Sequence, residues 1–128
     1  MNEIILENGK KIGGTNSPFI IAEIGNNHNG DIEIAKKLIE IASQIGVDAV
    51  KFQVKDIESS FSKELLEKPY NGPNSFGKTY REHKEFLEFN QDQLKNLYEY
   101  SRQKGIICFS TPFDVKSVEL LENLNNPI

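Results

Sequence analysis

The amino-acid sequence predicts an α/β fold built on parallel strands, and three observations predict it. Apolar runs of strand length, Phe19 to Gly25, Asp48 to Val54 and Ile106 to Ser110, alternate with amphipathic helical patterns. The connections around the first helix are short, as a parallel βαβ unit allows. Polar residues gather at the carboxyl ends of these strands, the edge where parallel sheets and barrels bind ligands. With 128 residues, 38% apolar and 27% charged, the chain suits one small globular domain. A net charge of −4 with acids and bases interspersed argues against non-specific nucleic-acid binding. No window approaches the length of a membrane span, and the first eleven residues lack the apolar core of a signal peptide. The single cysteine, Cys108, excludes an internal disulfide and a cysteine-rich metal site. A reducing cytoplasm is the expected location.

The elements follow in order. Asn8-Gly9 between short apolar runs predicts a two-residue hairpin over residues 3–13. Gly13 to Pro18 is a turn-rich connector. Asp31 caps a helix in which Ala35, Leu38, Ile39, Ala42 and Ile45 recur on one face and Glu33–Lys37 form an i,i+4 pair; Gly46 ends it. In the second strand, parity puts Ala49, Lys51 and Gln53 on one face and Val50, Phe52 and Val54 on the other.

The stretch from Lys55 to Phe89 is too long for an ordinary βα connection. Its aromatic residues argue against disorder, and residues 79–88 read as a short helix. It is expected to pass over the open end of the sheet as a lid. Asn90 to Gln93 resembles a capping box, with Phe89 and Leu94 as a hydrophobic staple. Leu94, Leu97 and Tyr98 face inward on that helix. After the third strand, Thr111 to Asp114 turns into a helix capped by Asp114, with Val118, Leu121 and Leu124 inward; residues 125–128 read as the entry to a fourth strand. Three parallel strands cannot close an eight-stranded barrel, which takes about 250 residues. The pattern therefore leaves two readings open: the opening of a longer chain, or a complete small open-sheet domain.

Glu23 is a carboxylate inside an apolar strand, which calls for a partner or a task. One reading is an ion pair with a lysine on the neighbouring strand; the other is a functional carboxylate. Glu23, Lys51, Gln53, Ser110 and Thr111 all fall at or near strand carboxyl ends. A lysine with hydroxyls there suits a phosphate or carboxylate, and a carboxylate suits proton transfer. His28, between Asn27 and Asn29, reads as holding its loop together by hydrogen bonds, with a metal-ligand or acid/base role as the alternative. His83 lies in a charged run and reads as solvated, and Cys108 as inert packing. Two separated histidines do not make a metal site. Phosphate-binding loops, dinucleotide fingerprints and nucleophile elbows are absent from the sequence.

Three segments in this order, Ala22-Glu-Ile-Gly-Asn-Asn-His-Asn-Gly30, Asp48-Ala-Val-Lys-Phe-Gln53 and Phe109-Ser-Thr-Pro-Phe-Asp114, closely resemble the N-terminal part of the sialic acid synthase family, which makes N-acetylneuraminate and related nonulosonates. The resemblance runs from about Ile4 to Ile128. It implies the N-terminal portion of a phosphoenolpyruvate-dependent (β/α)8 TIM barrel: a hairpin over 3–14 that plugs the barrel's bottom, then three βα units over 19–128 with the long loop 55–89. The rest of the barrel and a C-terminal antifreeze-like domain would lie outside these residues. The implied reaction condenses phosphoenolpyruvate with an N-acylated hexosamine such as N-acetylmannosamine. A divalent metal, manganese or magnesium, would assist, with ligands outside this chain.

By the same resemblance, Glu23 is the catalytic carboxylate, Lys51 binds phosphoenolpyruvate and Gln53 contacts the amino-sugar. Thr111, with Ser110, binds phosphate or carboxylate. Tyr80 touches the sugar, and Asn27 and His28 shape the site. The full-length protein is expected to be a homodimer, and these residues alone to be inactive. Two alternatives stand: a related enzyme condensing phosphoenolpyruvate with another aldose, and a non-catalytic α/β binding module or remnant.

Overall fold

The computed structural model describes residues 2–6 and 8–126. An antiparallel hairpin, β1 (Glu3–Ile5) and β2 (Lys11–Gly13), precedes a parallel three-stranded sheet of β3 (Ile21–Gly25), β4 (Ala49–Val54) and β5 (Ile107–Pro112), paired in that order. Helix α1 (Ile32–Ile45) joins β3 to β4. Between β4 and β5 come two single-turn helices, α2 (Ile57–Ser60) and α3 (Lys63–Leu66), then α4 (Tyr80–Leu87) and α5 (Gln91–Gln103). Helix α6 (Val115–Asn123) follows β5. The described residues form a mixed α/β fold with an open sheet.

The core lies on one face of the sheet. Ile24, Val50, Phe52, Val54 and Cys108 pack there with Ile39, Ala42, Leu94, Leu97 and Leu121 from the helices. Alternation along β4 produces this sidedness, because Val50, Phe52 and Val54 are buried while Lys51 and Gln53 reach the other face half-exposed. Local chemistry sets the helix ends. The Asp31 carboxylate accepts from the Glu33 and Ile34 N–H groups, and Gly46 closes α1 with a left-handed φ of +80°. The expected capping box at Asn90 and Gln93 is formed. Asp48, at the start of β4, accepts from the Ile20 N–H at 2.7 Å and pairs with Lys10 at 2.6 Å, tying the hairpin to the sheet's amino end.

Several sequence expectations are corrected. The hairpin turn is closed by Leu6 and Lys10 at 2.9 Å, enclosing three residues, with Gly9 alone taking a positive φ among those described. Ile45 is 70% exposed and leaves the α1 face, which is complete without it. Glu33 pairs with Lys36 and Glu40 with Lys37, both one residue nearer than i,i+4, so the Glu33–Lys37 pair is not made. On α6 the turn toward the core is made by Ser117 and Leu121, and Val118 is exposed. Strand β5 runs on through Thr111 and Pro112, which had read as a turn. His83 is buried, its Nδ1 accepting from the Phe76 N–H at 3.1 Å and its ring stacked on Phe76. The stretch 55–89 was expected to have structure of its own, and it carries α2, α3 and α4 with Leu66, His83, Leu87 and Phe89 buried. The expected fourth strand falls partly on residues 127–128, outside those described.

Candidate functional site

Sheet register assembles the site. Glu23 pairs with Lys51, and Gln53 pairs with Thr111, so all four stand on the face opposite the core. The Lys51 ammonium reaches the Glu23 carboxylate at 2.6 Å, with the two side chains 29% and 45% exposed. A pair this open to water contributes little to stability, about 0–1 kcal/mol, and is accessible to a ligand. A bulge shifts β3 by one position after Glu23, so that Gly25 rather than Ile24 comes opposite Phe52. Gly25 takes a left-handed φ of +53°, and a Cβ there would stand 3.4 Å from Gln53 Nε2 and 3.5 Å from Glu23 Oε1. The bulge thus turns the chain away just where these polar groups converge.

The loop after β3 is shaped by hydrogen bonds. Asn27 Nδ2 donates to the Ile24 carbonyl at 2.9 Å. His28 Nδ1 accepts from the Gly30 N–H at 3.0 Å, and the ring also bonds the Gly25 backbone. It is stacked on Phe89 at 4.1 Å and buried, which drives its pKa down to about 4. His28 is therefore a neutral structural bridge that ties the loop together through Nδ1 and its stacked ring. Gly30 lies against α4, where a Cβ would come within 2.2 Å of the Phe86 carbonyl oxygen. The long excursion is seated directly on this loop.

The other side of the site is clamped by Asp114. Its carboxylate caps α6 through the Ser117 N–H at 2.9 Å and also accepts from the Asp56 N–H at 2.8 Å and the Ser60 hydroxyl at 2.9 Å. Burial pushes the Asp114 carboxyl up, but these hydrogen bonds outweigh it and hold it below the usual range. The connections following β4 and β5 are thereby locked together.

Two proposed ligands are not brought to the Glu23–Lys51 pair. Ser110 lies on the core face opposite Phe52, accepting from the Tyr98 hydroxyl at 2.8 Å. Tyr80 packs edge-on against Phe61 and Tyr70 at 5.5 Å each and makes no hydrogen bond to Glu23, Lys51 or Gln53. Sequence reasoning missed Lys55, although it continues the alternating row of Lys51 and Gln53. Its ammonium donates to Gln53 Oε1 at 2.9 Å and sits 4.1 Å from the centre of the Phe113 ring. Burial lowers its pKa, opposed by Glu88, deepened by Lys84 and opposed by Glu23. Glu88 accepts from the Lys55 backbone N–H at 3.1 Å, and burial raises its carboxyl. Among the described residues, no cluster of three or more histidine, cysteine, aspartate or glutamate side chains could hold a metal. No described helix is long and apolar enough to cross a membrane.

The model of the NeuB family matches residues 38–128. The chain belongs to the NeuB family. Several relatives that it matches are named as synthases of acidic sugars. The N-acetylneuraminate-9-phosphate synthase of Mus musculus is 46% identical over 125 residues, covering 98% of this chain and 35% of that protein. The N,N'-diacetyllegionaminic acid synthase of Campylobacter jejuni is 40% identical over 107 residues, covering 83% of this chain and 32% of that protein. The chain thus spans about a third of the length of the relatives it matches. Among solved structures, the N-acetylneuraminic acid synthetase of Leptospira borgpetersenii, in complex with citrate, superposes with a TM-score of 0.75 at 35% identity, over 98% of this chain and 39% of that one. For this NeuB-family chain, the match carries the open sheet and the hairpin together.

Proposed function

We propose that this chain supplies the phosphoenolpyruvate end of the active site of a nonulosonate synthase. The observation that carries the reading is the Glu23–Lys51 pair at 2.6 Å, at the carboxyl ends of adjacent parallel strands and flanked by Gln53. In the proposed reaction, C3 of phosphoenolpyruvate bonds to the aldehyde carbon of an open-chain N-acylated hexosamine. Water adds at C2, the C2–O bond to phosphate breaks, and inorganic phosphate leaves. The aldehyde oxygen takes a proton and becomes the new hydroxyl. Lys51 would hold the anionic phosphoenolpyruvate, Glu23 would exchange the protons, and Gln53 and Thr111 would orient sugar and phosphate.

The wider reading follows from the family. The strands would belong to a (β/α)8 barrel, followed by an antifreeze-like domain in a homodimer, with the substrates met in the cytoplasm. Manganese or magnesium would serve as Lewis acid in the full-length protein. The residues here do not fit such an ion, because His28 is buried with its Nδ1 engaged by the Gly30 N–H and Glu23 is held by Lys51. Two relatives, from Mus musculus and Homo sapiens, are named for a 9-phosphate product. Phosphoenolpyruvate contributes carbons 1–3 of such an acid, so carbon 9 is carbon 6 of the hexose.

The test is phosphate release by the full-length protein with manganese, phosphoenolpyruvate and either N-acetylmannosamine or its 6-phosphate. Release that requires the sugar supports the reading. Release without it, or none with either sugar, defeats it.

A further inference from the structure

Gln53 ends in a primary amide, an acceptor on one side and a donor on the other, so its two orientations offer opposite chemistry to a ligand. The structure selects one of them. The Lys55 ammonium stands 2.9 Å from Gln53 Oε1. An ammonium carries donors only, so the atom it meets has to be the carbonyl oxygen; the flipped amide would set N–H against N–H. With Oε1 taken, the Nε2 end lies on the Gly25 side. A Cβ on Gly25 would stand 3.4 Å from Gln53 Nε2 and 3.5 Å from Glu23 Oε1. The glycine therefore leaves a space open between an amide donor and a carboxylate oxygen. Glu23 meets Lys51 through its other oxygen, Oε2. Among the described residues, Gln53 Nε2 donates to no protein group.

Lys55 is itself held in place. It is half-buried, and its backbone N–H donates to Glu88 Oε2 at 3.1 Å. The next amide, the Asp56 N–H, donates to Asp114 Oδ2 at 2.8 Å. The Phe113 N–H donates to the Val54 carbonyl at 3.1 Å, which sets the Phe113 ring beside the end of β4. The Lys55 ammonium rests 4.1 Å from the centre of that ring. Two carboxylates thus fix the backbone where β4 leaves the sheet, and a ring from the end of β5 supports the side chain that leaves it.

We propose that Lys55 is a positioning residue that locks the Gln53 amide with its Nε2 donor toward the Glu23 carboxylate, so that the site reads an acceptor oxygen of the amino-sugar beside Gly25. This rests on the synthase reading above. Lys55 acts through Gln53 and does not touch the sugar. A locked amide needs no ordering when the ligand arrives, whereas a free glutamine side chain would lose rotamer freedom at that step. The lock also sets selectivity, because an N–H pair rewards a carbonyl or hydroxyl oxygen at that point and leaves a donor unanswered.

The experiment is a double-mutant cycle on the full-length protein, with Lys55→Met and Gln53→Leu made singly and together. It reads kcat and KM with N-acetylmannosamine or its 6-phosphate, whichever turns over. Lys55→Met is expected to raise KM for the sugar about two- to tenfold, the range for ordering one long side chain, and to leave kcat unchanged. In the Gln53→Leu background the same change should do nothing, because the residue it acts through is gone. Gln53→Glu keeps an acceptor for Lys55 but has no donor, and should raise KM as much as Gln53→Leu. An unchanged KM in Lys55→Met, an equal rise in both backgrounds, or a normal KM in Gln53→Glu overturns the proposal. A crystal structure of full-length Lys55→Met separates the lock from the synthase reading. If neither sugar turns over, the synthase reading falls. The lock then stands if Gln53 takes a second rotamer in that variant, and falls if Gln53 keeps the parent's position.

Discussion

Glu23 and Lys51 meet at 2.6 Å across two adjacent parallel strands, on the face of the sheet turned away from the core. Because the pair is open to solvent, removing it should cost function far more than stability. Glu23→Gln is expected to lower kcat of the full-length protein by about 10²–10⁴, the range of a positioned acid–base group. Its denaturation midpoint should correspond to a change of about 0–1 kcal/mol. A stability loss of several kcal/mol with activity retained would make the pair structural only.

Neighbouring hydroxyls should separate cleanly. Thr111 shares the site face with Gln53, whereas Ser110 bonds Tyr98 on the core face. Thr111→Val is expected to raise KM for phosphoenolpyruvate at unchanged stability. Ser110→Ala should cost about 1 kcal/mol of stability and leave KM alone. Steady-state kinetics with urea titration reads both, and the reverse pattern would assign ligand contact to Ser110 in place of Thr111.

His28 titrates abnormally and should show it in stability. Its folded pKa is depressed from 6.5 to about 4 by burial, so between those values the unfolded chain binds more protons. Stability is fully present above pH 6.5 and is lost as pH falls toward 4, by an amount on the order of 2–3 kcal/mol. Buried His83, also lowered by burial, adds a contribution of the same sign. His28→Gln should flatten this part of the urea-midpoint profile while lowering stability at neutral pH. A profile as steep as the parent's would assign the dependence elsewhere.

Glycines with similar backbone angles should differ by their surroundings. Gly30 and Gly46 have φ of +74° and +80°, but only at Gly30 would a Cβ strike another element, the Phe86 carbonyl. Gly46→Ala should cost about 1–2 kcal/mol, the left-handed penalty. Gly30→Ala should cost clearly more and loosen the excursion, measurable as faster amide exchange in α4. Equal costs would show that the excursion is not seated on the β3–α1 loop.

Much of this molecule was legible in its sequence because the signals are local. Period-two alternation in 49–54 assigned Lys51 and Gln53 to one face, and the structure agrees. Asp31, Asn90 and Asp114 cap the helices expected of them, since capping needs only groups a few residues apart. The same parity, applied to β5, separates Ser110 from Thr111, but only once the strand is known to run through Pro112.

The sequence by itself determined the strand–helix order, the sided sheet and the polar row that ends in Gln53. Tertiary structure alone decided which long-range partners met. The β3 bulge brought Gly25 to Gln53, Phe89 took up His28, and Asp114 joined connections 58 residues apart through the Asp56 N–H. It also buried His83 in a run that reads as solvated, and it set Lys84 in the field of Lys55. The physical reason is range. Propensity, capping and alternation act over a few residues, whereas desolvation and charge pairing depend on what the folded chain places nearby.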